Sequence, residues 1–389
     1  MLLRSGWRQY ANRSGFQGVG VRRGRSKFNS QQWRAQRRYE PFETDIQRLK
    51  SALSSRAYVR GERRTEEDAV GPLPQMTYNK LIDERLVNWK AVKEFFPSQE
   101  EVKKTSLDYL SLCKPRLASF VLFSTLFGYF MASGPNLMID PVNLFATLAG
   151  TAMTIASANS MNQYLEADHD SKMKRTKNRA LPAKKLTPNQ VFSFSLFNGI
   201  LGALTLGLFS THLATILSVS NLFLYTFVYT PFKRVHHSNT WIGAVVGAIP
   251  PLIGYAARYP TLDAHALFLF LILFLWQLPH FYSLSWQHRH DYQVAGYKML
   301  SNVRPSLLPR QTLIWTSSLF LLPLISTYFH LTSPWIILET SPLSIYCLLC
   351  ARNFSKQPTN ANASLCFRSS LLWLPFFLLS LILHKTDDD

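Results

Sequence analysis

Polar and apolar positions are unevenly spread along this chain. From about residue 117 they separate into long apolar stretches divided by short polar loops, whereas the preceding part carries no long apolar run. Nine stretches, near 117–134, 143–165, 189–209, 212–230, 241–257, 265–284, 311–330, 334–351 and 367–384, are each roughly long enough to cross about 30 Å of hydrocarbon as a helix. The pattern predicts an all-α fold, a polytopic membrane bundle of about nine transmembrane helices; the fifth stretch is short and rich in Gly and Pro, so eight is the alternative count.

The second stretch ends in an unusual way. Leu144 to Ala158 is apolar or small, and then comes NSMNQYLEADHDSKMKRTKNRAL, residues 159–181. If the helix continues, Asn159, Asn162, Glu166 and Asp170 fall in one narrow stripe, because their spacing follows the helical period. Two carboxylates and two amide oxygens on one face suit Mg²⁺, which takes one or two carboxylates and completes its shell with water and phosphate oxygens. Arg175, Lys177 and Arg179 follow at once, and an Arg fork grips phosphate oxygens. The combination reads as a diphosphate site. The competing reading is a helix end whose acids are solvated, followed by a basic loop that only sets topology.

Two further polar concentrations stand at the ends of apolar stretches. In YTFVYTPFKRVHHSN, residues 225–239, Tyr229 precedes Lys233 by four, so a phenol and an ammonium can hold the far oxygens of a diphosphate or can simply form an interfacial belt. In WQLPHFYSLSWQHRHDYQVAGYKM, residues 276–299, His280 sits within an aromatic membrane run. It can act as a base, hydrogen bond a carboxylate or ligate iron. Asp291 lies on the same side as Glu166 and Asp170 and can hold a second Mg²⁺, while His288, Arg289 and His290 are less specific.

Charge orders the rest. Lys103, Lys104, Lys114 and Arg116, the run Lys172 to Lys185, Lys233 and Arg234, the run Arg289 to Arg310, and Arg352, Lys356 and Arg368 fall in alternate loops; the other loops are almost free of cations, Arg258 being the main exception. All the basic loops therefore share one side. Residues 1–39 hold nine Arg and one Lys with no acid, about +10 of the net +19, and read as a mitochondrial transit peptide. A nucleic-acid tail is the alternative, and the multi-span body argues against it. Residues 40–104 read as a polar linker region on the matrix side, and 105–389 as the membrane domain, placed in the mitochondrial inner membrane with its polar site facing the matrix. Cys347 and Cys350 lie inside an apolar stretch and read as helix filler. No GxxxxGK[ST], GxGxxG after a strand, GxSxG or HExxH occurs, which leaves nucleotide-binding and hydrolase classes without support.

At these residues the chain resembles the UbiA-type intramembrane prenyltransferases, whose first motif, N-x-x-x-[DE]-x-x-x-D, is matched by Asn162, Glu166 and Asp170. The blocks NQYLEADHDSKMKRTKNRAL, YTPFKR followed by NTWIGAVVGAIPPLIGY, and WQLPHFYSLSWQHRHDYQVAGYKML resemble the haem-modifying branch of that superfamily. Three departures stand out: Glu166 stands where many members of the superfamily carry Asp, Arg179-Ala180 replaces an Arg-Pro, and only Asp291 stands in the second acidic motif, so a full second D-x-x-x-D is absent. The resemblance implies a nine-helix bundle around a central cavity, Mg²⁺ dependence, and transfer of a farnesyl group from farnesyl diphosphate to a vinyl group of haem b, giving haem O for haem A synthesis and cytochrome oxidase assembly. It implies catalytic roles for Asn159, Asn162, Arg175, Arg179 and His280, metal ligation by Asn162, Glu166, Asp170 and Asp291, and diphosphate contacts from Arg175, Lys177, Arg179, Tyr229 and Lys233. Its partners would be farnesyl diphosphate, haem b, membrane lipid and haem A synthase or other oxidase-assembly proteins. A quinone-precursor prenyltransferase, or a transporter or haem carrier, are the alternatives.

Overall fold

The computed structural model describes residues 99–132 and 139–386. The expected transit peptide, most of the polar linker and the acidic tail at Asp387 to Asp389 lie outside them. The helices are α1 (Gln99–Leu112), α2 (Pro115–Met131), α3 (Pro141–Leu165), α4 (Ala167–Lys172), α5 (Pro188–Phe209), α6 (His212–Phe232), α7 (Asn239–Arg258), α8 (Ala264–Gln287), α9 (Arg289–Val294), α10 (Leu300–Val303), α11 (Leu308–Ser318), α12 (Leu321–Tyr328), α13 (Trp335–Lys356) and α14 (Asn360–Leu383). No strand forms among the described residues.

The helix starts are written in local chemistry. Asp140, Thr187, Thr211, Asp263 and Thr359 each accept a backbone N–H of the first turn, which satisfies a donor the helix cannot. Thr187 and Gln190 complete a capping box, and Pro141 and Pro188 occupy the first turn, where their missing N–H is harmless.

Among the described residues a helix stands at each of the nine expected positions, though not every one is a single long apolar helix. Six helices are long and apolar enough to span by themselves: α3, α5, α6, α7, α8 and α14. A seventh span results if α1 and α2, bent by 52° at their joint, act together. The expected span 311–330 is split into α11 and α12, because Pro323 offers no N–H to the Leu319 carbonyl and the chain tightens into short turns at Leu319 and Phe320. The α13 helix carries Glu339 near its start and Arg352 and Lys356 near its end.

α7 is the axis of the bundle. It packs on α2, α6 and α8, and α8 in turn carries α11 and α14. Within its membrane window 78% of α7 is buried, compared with 28% for α5, which faces outward over most of its surface. The main core joins Phe127, Ala248, Tyr255, Leu269, Ile272, Trp373 and Phe377. Trp373 and Phe377 stack at 4.6 Å, and the Trp373 indole N–H donates to Ser344 Oγ at 2.8 Å. Outward-facing Phe145, Leu208 and Phe197 are 75%, 73% and 65% exposed, an apolar surface suited to lipid and not to water.

The α2–α7 crossing brings backbone against backbone. A Cβ on Gly254 would overlap the Thr125 carbonyl oxygen, and one on Gly128 the Pro251 carbonyl oxygen. Neither obstacle can rotate away. Gly254→Ala should therefore lower stability by about 1–3 kcal/mol, the usual cost of overpacking. Gly207→Ala, whose nearest neighbour would stand 3.9 Å away, should leave stability unchanged or slightly raised. Thermal unfolding of both variants in detergent checks the contrast.

Candidate active site

The site forms where α3 gives way to α4. At Glu166 the backbone leaves helical geometry (φ −103°, ψ 8°), yet the ladder is not lost: Glu166 N donates to Asn162 O at 3.0 Å and Asp170 N to Glu166 O at 2.8 Å. Asn162, Glu166 and Asp170 thus stay in register across the break. They are 2%, 4% and 2% exposed, so the reading of solvated helix-end acids does not describe this protein.

Each of the three receives a lysine or arginine nitrogen from a different part of the chain. Lys114 Nζ donates to Asn162 Oδ1 at 2.9 Å, Lys233 Nζ to both Glu166 oxygens at 3.0 and 3.3 Å, and Arg179 Nη1 to Asp170 Oδ2 at 2.6 Å. Burial pushes the Glu166 carboxyl up, but the Lys233 ammonium outweighs this and holds it below its usual range, with Lys114 adding to the effect. Burial alone would lower Lys233; the Glu166 carboxylate instead holds it well above the ordinary lysine value. The pair is therefore ionised on both sides, as short charge-assisted bonds require.

Three local devices deliver those cations. Lys114 adopts the left-handed conformation (φ 50°) in the α1–α2 joint. That joint is held from α3, where Asn159 Nδ2 donates to Cys113 O at 3.0 Å and Gln163 Nε2 to Leu112 O at 2.8 Å. In α6, residues Leu224–Tyr229 widen into a π turn, a device often found at functional sites. It carries Thr230 Oγ1 to within 3.2 Å of Asn162 Nδ2 and Lys233 to Glu166. Tyr229 lies beneath Lys233, with Nζ 4.6 Å from the ring centroid, and Gly243 of α7 leaves the space that its ring fills. The basic loop after α4 is pinned by buried Met173, Ala180 and Leu181, and Thr176 Oγ1 donates to Asp170 O at 2.8 Å. Arg179 is thereby aimed inward.

The remaining expected site residues are placed differently. Arg175 and Lys177 are exposed on that loop; Lys177 N donates to Met173 O at 3.0 Å, and neither side chain makes a hydrogen bond among the described contacts. The Asn159 amide is occupied in holding the α1–α2 joint. Asp291 is half-buried on α9. His280 lies in the α8–α14 seam, stacked on Trp276 at 4.6 Å and Phe367 at 4.5 Å, with Nδ1 2.9 Å from Ser370 Oγ. Lys114 and Thr230 belong to the site without having been singled out as site residues in the sequence. Lys114 reads there as a loop cation, and nothing near it signals a left-handed joint.

The α9–α10 connection closes over the cluster. His169 Nδ1 meets Ala295 O at 2.6 Å, Lys298 N donates to Lys233 O at 2.8 Å, and Asn239 Nδ2 donates to Lys298 O at 3.0 Å. The other face of α9, with Arg289, His290 and Gln293, lines a separate polar cleft of about 480 Å³.

Among the described residues no three His, Cys, Asp or Glu side chains group closely enough to hold a metal alone. The all-oxygen set of Asn162, Glu166 and Asp170 instead matches an ion that relies on ligand and water oxygens for the rest of its shell. Breaking one pair should expose its cost. Lys233→Met leaves a buried carboxylate without its partner, a loss of about 3 kcal/mol, and adding Glu166→Gln should recover most of it. Apparent melting temperatures should rank K233M below the double variant.

Fold and site together define a helical membrane protein with a buried cluster of acids, amide and basic side chains at one end of its bundle. The chain belongs to the UbiA prenyltransferase family, which matches residues 121–381. It is 40% identical over 283 residues to a mitochondrial protoheme IX farnesyltransferase of Arabidopsis thaliana, covering 72% of this chain and 65% of that protein. The human protein of that name is 36% identical over 274 residues, covering 70% and 61%. The chain thus spans less than two thirds of these relatives' length. A protoheme IX farnesyltransferase of Solibacter usitatus is 32% identical and is covered over 98% of its length, with 72% of this chain matched. Among solved structures, a digeranylgeranylglyceryl phosphate synthase superposes with a TM-score of 0.61 at 18% identity, covering 72% of this chain and 98% of that one. A UbiA homologue from Archaeoglobus fulgidus bound to DMAPP and Mg²⁺ gives 0.54 at 13%, covering 71% and 99%. At such identities the superpositions speak for the fold.

Proposed function

We propose that this protein transfers a farnesyl group from farnesyl diphosphate to a vinyl group of haem b, giving haem O, in the mitochondrial inner membrane with its site facing the matrix. The observation that carries the reading is the buried stripe Asn162, Glu166 and Asp170, matched oxygen for cation by Lys114, Lys233 and Arg179. The names of the relatives supply the acceptor.

Asn162, Glu166 and Asp170 would hold Mg²⁺, with Asp291 the candidate for a second ion. Bound there, the metal would supply positive charge against the diphosphate as it leaves. Arg179 and Lys233 already point into the site and can pass from carboxylate to phosphate oxygens, and Tyr229 backs Lys233. Arg175 and Lys177, exposed beside them, are free to fold over the outer phosphate. Asn159 fixes the joint that presents Lys114. Heterolysis of the C1–O bond leaves an allylic cation, which the vinyl π pair captures as the new C–C bond. Water adds to the resulting porphyrin-side cation and loses a proton, giving the hydroxyethylfarnesyl substituent. The bundle's task is to keep bulk water out until that step.

His280 is assigned to the acceptor. Its Nδ1 is engaged by Ser370, which leaves Nε2 for the haem.

Membranes of a host unable to make haem O should acquire a hydroxyethylfarnesyl haem when they contain this protein, as read by chromatography and mass spectrometry. Chelation of divalent metal should stop its formation and Mg²⁺ restore it. Asp170→Ala should insert normally yet give less than about 1% of the product. Well-inserted protein with haem b alone would turn the search to quinone precursors. His280→Leu should raise KM for haem without changing farnesyl diphosphate affinity; an equal effect on both would remove the assignment.

A further inference from the structure

Tyr297 is buried at the site with nothing to bind. Its residue is 5% exposed, yet its hydroxyl has no hydrogen-bond partner. A buried polar group left unmatched normally costs a protein stability, so a hydroxyl kept this way calls for an explanation.

The surrounding backbone shows that the position is built and not incidental. Gly296, at φ 79°, turns the chain back at the end of α9, and Tyr297 N donates to Tyr292 O at 3.0 Å. The residues on either side are fastened to the two elements that carry the site's charges. Ala295 O meets His169 of α4, the helix of Asp170, at 2.6 Å. Lys298 N donates to the carbonyl of Lys233 at 2.8 Å. The ring itself rests on His169 at 5.3 Å and Tyr292 at 6.0 Å, among Met173 and Ala295.

The charges facing the phenol belong to the same cluster. Burial, and then the carboxylate of Glu166, push its titration upward; Asp170 adds to this and Lys233 opposes it. The group therefore remains a protonated O–H donor. Both carboxylates already hold a cation, Lys233 on the two Glu166 oxygens and Arg179 on Asp170 Oδ2, and neither accepts from the Tyr297 hydroxyl. What the hydroxyl lacks is an acceptor, and a phosphate oxygen arriving beside Lys233 would provide one.

We propose that the Tyr297 hydroxyl donates a hydrogen bond to an oxygen of the prenyl diphosphate held beside Glu166 and Lys233, which makes it a substrate-binding residue of this protein. The inference rests on the prenyl diphosphate reading above.

The test uses the full-length protein in detergent with Mg²⁺ and the slowly reacting analogue farnesyl S-thiolodiphosphate, with binding followed by calorimetry. Tyr297→Phe keeps the ring and its contacts, and should weaken the analogue about tenfold or more, the scale of a lost bond to a charged acceptor. Farnesol, which has no phosphate, should bind both proteins alike. The ligand-free melting temperature of Y297F should be unchanged or higher, since an unmatched buried hydroxyl has been removed. Equal analogue affinity in wild type and Y297F would overturn the proposal while leaving the prenyl diphosphate reading intact. A wild type that does not bind the analogue at all would overturn both. A lowered ligand-free melting temperature with equal losses for farnesol and analogue would mark a structural role and also overturn it.

Discussion

The constraint on which the rest of the structure depends is the cost of placing ionised oxygens at the end of a membrane bundle. A carboxylate withdrawn from water is tolerated only when a cation and further donors meet it closely. Glu166 and Asp170 are both buried, and each has its own cation within hydrogen-bonding distance. Much of the local backbone follows from that requirement. The left-handed Lys114, the π turn of α6 and the anchored loop after α4 are three separate departures from regular geometry, and each one ends with a lysine or arginine nitrogen on the same stripe.

The arrangement also suits turnover. On the proposed reading, the cations that neutralise the carboxylates would already be positioned for an anionic substrate, and little of the cluster would have to be rebuilt for phosphate oxygens. Preorganised donors of this kind stabilise charge without having to reorient as the reaction proceeds. The rigid part of the bundle supports them from behind. α2 and α7 touch through glycines, backbone to backbone, and α7 passes this fixed spacing to α6 and α8. The short α9 separates two polar regions: Tyr292 lies on the side of Tyr297 and the charge cluster, whereas Arg289, His290 and Gln293 face the cleft beyond.

The positions of the helices were legible in the sequence because an apolar run of sufficient length in lipid has few options other than a helix, and because Asp, Thr and Pro mark the starts. The stripe of Asn162, Glu166 and Asp170 was legible for a similar reason. Spacings of four place side chains on one helix face whatever the rest of the chain does, and the i→i−4 bonds carry that register across the break at Glu166. The span count was less secure, since it turns on Pro323 and on polar residues in α13, where a smooth average of hydrophobicity hides a local break.

What the sequence determined by itself was therefore local and periodic: helices, the direction of their charged ends, and the one face on which the acids and amides align. What only the tertiary structure decided was which cation meets which oxygen. Lys114, the neighbouring pair Thr230 and Lys233, and Arg179 reach the stripe from three separate segments, and Tyr297 reaches their neighbourhood from beyond α9. The physical reason is that an ion pair depends on distance in space, which periodicity along one helix cannot encode once the partner lies on another.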